Sequence, residues 1–339
     1  MIPHNKPTIG HLELKAMTKV AKQGNLSNFK EVKKFENAFA NYFNLSSKNV
    51  IAVSNGTSAL YLALWSLRAR GKKVFFPVYS CSSLRHATGM IGAKERLLDV
   101  MENFPNMKID YINKSKGITI FPHMYGFPSK IKSKSSHPII EDVCQSLGAK
   151  INNKKVGLQT DIGIFSFYAT KLITSAGQGG MIISRNSSLI SEIRDFLNFD
   201  QRQDNKKRFN FNMTDVQAAM GIVQLRRIRE FLEKRERIFE FYKSLGLPLL
   251  DVKSDNVSPV RYRTILLCKN PKLLIKKFEK NKIKIINPLE KYELLSTGRK
   301  YKNSINLAQK TISLPCYPSL TNKELNLIKK NILKFERLI

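Results

Sequence analysis

Cysteine is scarce in this chain of 339 residues. The four present, Cys81, Cys144, Cys268 and Cys316, are scattered with no paired C-x-x-C spacing. That argues against a zinc site or a disulfide framework and suits a reducing cytoplasm, where the protein is expected to work. Long apolar runs are also missing, so no membrane span is expected, and the start MIPHNKPTIG lacks a signal-peptide core. Acidic residues are few: 26 Asp and Glu stand against 58 Lys and Arg, a net charge of +32. Such an excess attracts phosphates and raises nucleic acid or an anionic membrane as partners. What a specific reader of nucleic acid needs is absent, since there is no basic arm and no aromatic-interleaved ribonucleoprotein motif. The lysines are spread along the whole chain, as on solvated helix faces. Any DNA or RNA binding is therefore expected to be weak, sequence-independent and steeply lost with salt.

A hydrophobic share of 42% supports a sizeable core. The length suits one large α/β domain with a smaller appended one. Apolar runs at Val50–Val53, Val74–Phe76, Ile118–Phe121, Ile139–Ile140, Ile164–Phe167 and Met181–Ile183 read as strands. Between them, Ser58–Arg68 and Leu189–Leu197 carry apolar residues at helical spacing. The alternation predicts a mostly parallel sheet with helices on both faces, and a ligand site beyond the carboxyl ends of its strands. From Thr214 to about Leu245 one long amphipathic helix, or two in succession, is predicted. A strand (Tyr262–Cys268), a helix (Lys272–Asn281) and a last helix from about Asn322 follow. Gly246, Pro248 and the polar stretch Lys253–Pro259 mark the change of domain, giving residues 1–245 and 246–339.

Several segments hold side chains fit for chemistry. Asn55-Gly56-Thr57-Ser58 follows a strand and opens a helix. Free amides there make an anion site, and an ordinary cap by Thr57 or Ser58 explains the same residues. Glu141 and Asp142 end a buried strand. Being adjacent, only one of them can face a given site. Lys171 follows Phe165-Ser166-Phe167-Tyr168 and precedes Gly177, Gly179 and Gly180, a setting for close approach to a flat ligand. Burial is expected to depress its pKa and make the amine nucleophilic. Tyr79, after a strand, is placed to stack on a planar ring or to pack in the core. His123 and Tyr125 lie at another strand end, and His123 is assigned no chemical step.

Taken together, SNGTSALYLAL, FFPVYS, FPHMYG, IIEDVCQSLGA, GIFSFYATKLIT with GQGGMI, FNFNMTDVQAAMG and SLPCYPSL resemble the DegT-type family of pyridoxal-phosphate (PLP) sugar aminotransferases. They occur in the family's order from about Lys6 to about Leu320. The resemblance implies a fold-type-I PLP transferase with a smaller C-terminal α+β domain. It implies that Lys171 is the Schiff-base lysine and that Asp142 pairs with the pyridine nitrogen. Gln145 would bond the ring oxygen and Tyr79 would stack on the ring. Gly56, Thr57 and Ser166 would hold the phosphate, with Asn210 arriving from the partner subunit of a homodimer. No metal is implied. The substrates implied are L-glutamate and a keto-deoxysugar on a nucleoside diphosphate, in aminosugar and cell-surface polysaccharide synthesis. A sugar dehydratase of the same fold would carry histidine where Lys171 stands. An inactive homologue is the other alternative, because the sugar side departs from the pattern. Asn25–Phe29 lacks the family's frequent glycine, Asn212 stands where a basic residue is common, and Asn287–Leu295 is short and lacks a histidine.

Overall fold

A computed structural model describes the chain except residues 25, 28, 109, 111–115, 132–136 and 253. Asn25 and Asn28 of the sugar-side loop, and Lys253 of the domain-boundary stretch, therefore lie outside the described residues. The chain opens with α1 (His11–Lys22) and α2 (Lys30–Tyr42). It then alternates through β1 (Val50–Val53), α3 (Gly56–Ser66), β2 (Lys73–Pro77), α4 (Ser83–Met90), β3 (Lys94–Leu98), β4 (Ile118–Pro122) and β5 (Ile139–Asp142). A small hairpin, β6 (Lys150–Ile151) and β7 (Lys154–Lys155), leads to β8 (Ile162–Ser166), β9 (Gly180–Ile183) and α5 (Ser187–Leu197). Next come α6 (Asp215–Arg226), α7 (Ile228–Lys243), β10 (Val257–Ser258), β11 (Thr264–Leu267), α8 (Pro271–Lys280), α9 (Lys302–Lys310), β12 (Thr311–Leu314) and α10 (Asn322–Lys334).

Seven strands form the central sheet in the order β1-β9-β8-β5-β4-β2-β3. All run parallel except β9, which is antiparallel to both its neighbours. Alternate residues feed two cores, as the two-residue period of a strand requires. Val50, Ala52, Phe165, Met181 and Ile183 join Phe35, Phe39, Phe43 and Phe167 on one face. Ile51, Val53, Ile162, Ile164 and Ile182 join Leu60, Leu64 and Ile193 on the other. Each of these side chains larger than alanine stabilises by about 1.5–3 kcal/mol when fully buried. Helices thus cover both faces, and every strand predicted within the sheet is present.

The edge strand β3 escaped prediction because its sequence, KERLL, is charged and only partly buried. The long amphipathic stretch resolves into two helices that meet at Arg227. Toward the C-terminus, β11 and β12 pair antiparallel over a third core built on Leu266, Leu274, Phe278, Ile312 and Ile328. That core also takes Ile2, Ile238 and Tyr242, so its packing crosses the expected boundary at residue 246. The N-terminal strand-like segment is tied down twice. The Ile2 amide donates to the Lys282 carbonyl and the Lys284 amide to the Ile2 carbonyl, while Asn5 Nδ2 donates to the carbonyl of Thr170. No helix among the described residues is long and apolar enough to cross a membrane.

One turn near the sheet's carboxyl edge has almost no tolerance. Gly126 sits at φ +94°, and a Cβ there would lie 1.7 Å from the Val260 carbonyl oxygen. Gly126→Ala should cost more than about 2 kcal/mol, through left-handed strain and displacement of that backbone. Urea denaturation would check it, and a midpoint equal to wild type would show that the turn is not rigid.

Candidate active site

The carboxyl ends of five strands open into one cleft of about 560 Å³. Its lining includes Gly56 and Thr57 after β1, Ser80 and Cys81 after β2, His123 and Met124 after β4, Asp142, Cys144 and Gln145 at β5, and Ser166 and Lys171 after β8. Position follows from topology. Parallel neighbours place their C-terminal ends side by side, so residues far apart in sequence meet at one edge.

At one end of the cleft stands the first turn of α3. Its cap is Asn55, whose side chain accepts from the Ser58 amide at 2.8 Å. The expected alternative, capping by Thr57 or Ser58, does not occur. Among the described residues the Gly56 and Thr57 amides donate to no protein acceptor, so both are available to an anion at the helix start. Ser166 closes against them: a Cβ on Gly56 would lie 2.8 Å from Ser166 Cβ. Glycine is required there for that approach.

The choice between the two strand-end acids is settled by register. Glu141 is fully buried and faces away from the cleft, where His123 Nε2 lies 2.9 Å from its Oε1. The Gln159 amide and side chain also donate to it. The Ser129 amide donates to His123 Nδ1, which leaves the ring proton on Nε2, aimed at Glu141. Burial works to raise the Glu141 carboxyl, but these hydrogen bonds prevail and hold it below the ordinary carboxylate value. A carboxyl depressed in the folded state lends stability above its unfolded value, near 4.5, and loses it as pH falls through the folded one. Glu141→Leu should therefore destabilise by about 1–3 kcal/mol for each donor left unpaired. Its stability should also change less than wild type's below about pH 4.5. Acid and urea titrations followed by circular dichroism test both. Asp142 takes the opposite face: it lines the cleft, and its Oδ1 accepts from the Cys144 amide at 3.0 Å.

Gln145 lines the same wall. Its Oε1 accepts from the Tyr125 amide at 2.7 Å, which leaves its amide nitrogen as the donor. Lys171 lies in the loop after β8, its Nζ 5.4 Å from the centre of the Tyr262 ring. Burial pushes its amine down as expected, but Tyr262, Cys144 and Asp142 outweigh that, and the net displacement is upward. The expected depression is thus overturned by charge. Tyr262 responds oppositely: burial would raise its phenol, and Lys171 and Arg263 hold it below the ordinary value.

Two expectations meet a different placement. Tyr79 is fully buried and absent from the cleft lining; its hydroxyl accepts from that of Tyr125 at 2.8 Å and lies 3.4 Å from Thr311 Oγ1. Its ring packs edge-on against Tyr125, so no face is open to a ligand, and core packing is the reading that holds. Asn210 is exposed, and its Oδ1 accepts from the Asn212 amide of its own chain. Sequence reading missed Cys81, Cys144 and Tyr262. Cys144 was legible, two residues beyond Asp142 and thus on the same side, whereas Cys81 was not, since Tyr79 two residues before it is turned into the core. Tyr262 comes from a distant segment with no motif of its own.

The donor set fits pyridoxal phosphate: free helix-start amides with a hydroxyl for a phosphate, a carboxylate for a pyridine nitrogen, and an amine in the same cleft. Comparison with known proteins agrees. The chain is 28% identical to GDP-perosamine synthase of Vibrio cholerae, over 96% of each. It is 27% identical to a Campylobacter jejuni UDP-4-amino-4,6-dideoxy-N-acetyl-beta-L-altrosamine transaminase, over 98% of this chain and 96% of that one. In fold it matches the aminotransferase TlmJ of Streptoalloteichus hindustanus, with a TM-score of 0.89 at 22% identity over 98% of each chain. It also matches a Streptococcus pneumoniae protein assigned as a sugar aminotransferase, solved in its PLP form, with a TM-score of 0.88 at 20% identity over 100% of this chain and 99% of that one. The expected fold-type-I architecture is therefore present. Residues 7–332 match the DegT/DnrJ/EryC1/StrS aminotransferase family as a whole, and the chain belongs to that family as a PLP-dependent sugar aminotransferase.

Proposed function

We propose that this enzyme moves an amino group from an amino acid, L-glutamate by resemblance, to a keto-deoxysugar carried on a nucleoside diphosphate. The product would be an aminosugar for a cell-surface polysaccharide. The observation that carries this reading is the meeting of Lys171, Asp142 and the free Gly56 and Thr57 amides in one cleft. The names of the two relatives above, one a GDP-sugar and one a UDP-sugar enzyme, support a nucleotide-linked substrate. The net charge of +32 favours the approach of a diphosphate.

Pyridoxal phosphate, when bound, supplies a carbonyl that captures amines and a ring that accepts electron density from the adjacent carbon. The chain does the rest. Gly56, Thr57 and Ser166 hold the phosphate. Asp142 holds a proton on the ring nitrogen, and Gln145 donates to the ring oxygen. Lys171 is the residue that would hold the cofactor through its amine. Its amine would accept the proton leaving the donor α-carbon and pass it to the cofactor, and in the second half would carry one from the cofactor to the sugar carbon. The test is incubation with L-glutamate and a panel of 3-keto and 4-keto deoxysugar nucleotides, with products read by mass spectrometry. Aminosugar nucleotide with matching 2-oxoglutarate supports the reading; no amination across the panel by PLP-loaded enzyme defeats it.

In the same reading the enzyme is a homodimer whose sites are shared, Asn210 reaching the partner's phosphate site. Phe209 and Tyr168 beside these residues are large, apolar and exposed, which favours a covering surface. Lys171→Ala and a disruptive Asn210 substitution, each made separately and then co-expressed, separate the possibilities. With sharing, one site of each mixed dimer keeps both residues, and activity partly returns. Verified mixed dimers as inactive as their parents would exclude sharing.

A further inference from the structure

Lys171 also borders a second and much smaller cavity. Lys171 forms part of both walls; Lys6, Thr8, Phe231, Arg235 and Pro318 contribute to the rest of the small one. It offers about 10 Å³, room for one particle of about the size of water.

Arg235 is among the largest fully buried side chains, at 1% exposure. It projects from α7, and its Nη1 donates to the carbonyls of Arg261, Tyr262 and Cys316. These three carbonyls engage only Nη1, and being neutral they leave the charge of the guanidinium uncompensated. Among the described residues no carboxylate forms an ion pair with it, and Glu236 and Asp251 both bind Arg261 instead. Arg263 is a further cation beside it, and Lys171 and Lys6 stand in the same cavity wall. His4 registers this field: burial, then Arg263, Lys284 and Arg235, push its imidazole down to about 3. An isolated buried cation is costly even after the protein relaxes.

Two polar atoms in this wall are also buried without a partner: Arg235 Nε and Thr8 Oγ1. Buried donors are satisfied in all but a few instances, so each such exception calls for an occupant. Both residues line the same cavity. We infer that the cavity binds a single small monovalent anion, chloride, held by the Nε–H of Arg235 and the hydroxyl of Thr8 beside Lys171. Chloride accepts from both donors and supplies the missing negative charge. Water would satisfy the donors but not the charge, and phosphate or a carboxylate is too large for the space. Because Lys171 shares the wall, the ion also lends negative potential to the active-site lysine. The inference stands on Arg235 and Thr8 and does not depend on which substrate the enzyme takes.

The experiment is thermal unfolding of the full chain, with and without PLP, in chloride, bromide or gluconate at equal ionic strength. Chloride and bromide should raise the melting temperature saturably, by about 2 °C at tenfold above half-saturation, and gluconate should not. Thr8→Val, which removes only the hydroxyl, should weaken the apparent chloride affinity at least severalfold. Arg235→Met should abolish the response, and if that variant does not fold, Thr8→Val decides alone. A crystal grown in bromide should show an anomalous peak between the two side chains. Equal melting in chloride and gluconate, a response that rises without saturating, or an unchanged response in Thr8→Val would each overturn the site and leave a water there.

Discussion

Lys171→Ala is expected to lower transamination by about 10²–10⁴-fold or more, the range attributable to a positioned proton carrier alone, before covalent anchoring is counted. The same variant should no longer fix PLP to the chain upon borohydride reduction, while wild type should. The two readouts separate a chemical role from a structural one, since a merely misfolded variant would also lose secondary structure. Removal of the ammonium should release Tyr262 as well: its phenol, held down by Lys171 and Arg263 against burial, should rise and shift its ultraviolet titration to higher pH. Turnover within tenfold of wild type would remove Lys171 from the mechanism.

Asp142→Asn is expected to fold normally, because an amide oxygen can still accept from the Cys144 amide. It should nevertheless lose activity by roughly 10- to 150-fold, the equivalent of about 1.5–3 kcal/mol for a hydrogen bond to a charged group. Glu141 cannot substitute, because its carboxylate is fully buried and engaged by His123 and Gln159 on the opposite face of β5. Loss of Asp142 also removes one of the charges that hold the Lys171 amine up, so the pH profile of the residual activity should move toward lower pH. Unchanged kinetics across pH 6–9 would leave the cleft carboxylate without a function.

Much of this was legible in the sequence. Strand-end acids in IIEDVCQSLGA and a lysine in the loop after FSFYAT lie at the ends of strands whose apolar runs are plain, and parallel topology brings such ends together. What one strand cannot reveal is the direction of an aromatic one or two residues past its end. Tyr79 was chosen as the stacking residue, yet after Pro77 the chain turns, and Ser80 and Cys81 reach the cleft in its place. Tyr262 was invisible for a related reason. Its nearness to Lys171 is produced by the packing of the C-terminal part on the sheet, and no local pattern encodes it. The sign of the Lys171 displacement was missed likewise, since burial can be guessed from sequence but the charges that oppose it sit on three other segments.

The double attachment of the first residues has a practical reach. Ile2 is bonded across to Lys282 and Lys284, and Asn5 grips the carbonyl of the residue just before Lys171. The opening segment is thus a tether between the C-terminal core and the lysine loop, and strain applied at either end is felt at the other. Removal of residues 1–5 should therefore loosen the loop that carries Lys171 as well as the edge of the C-terminal core.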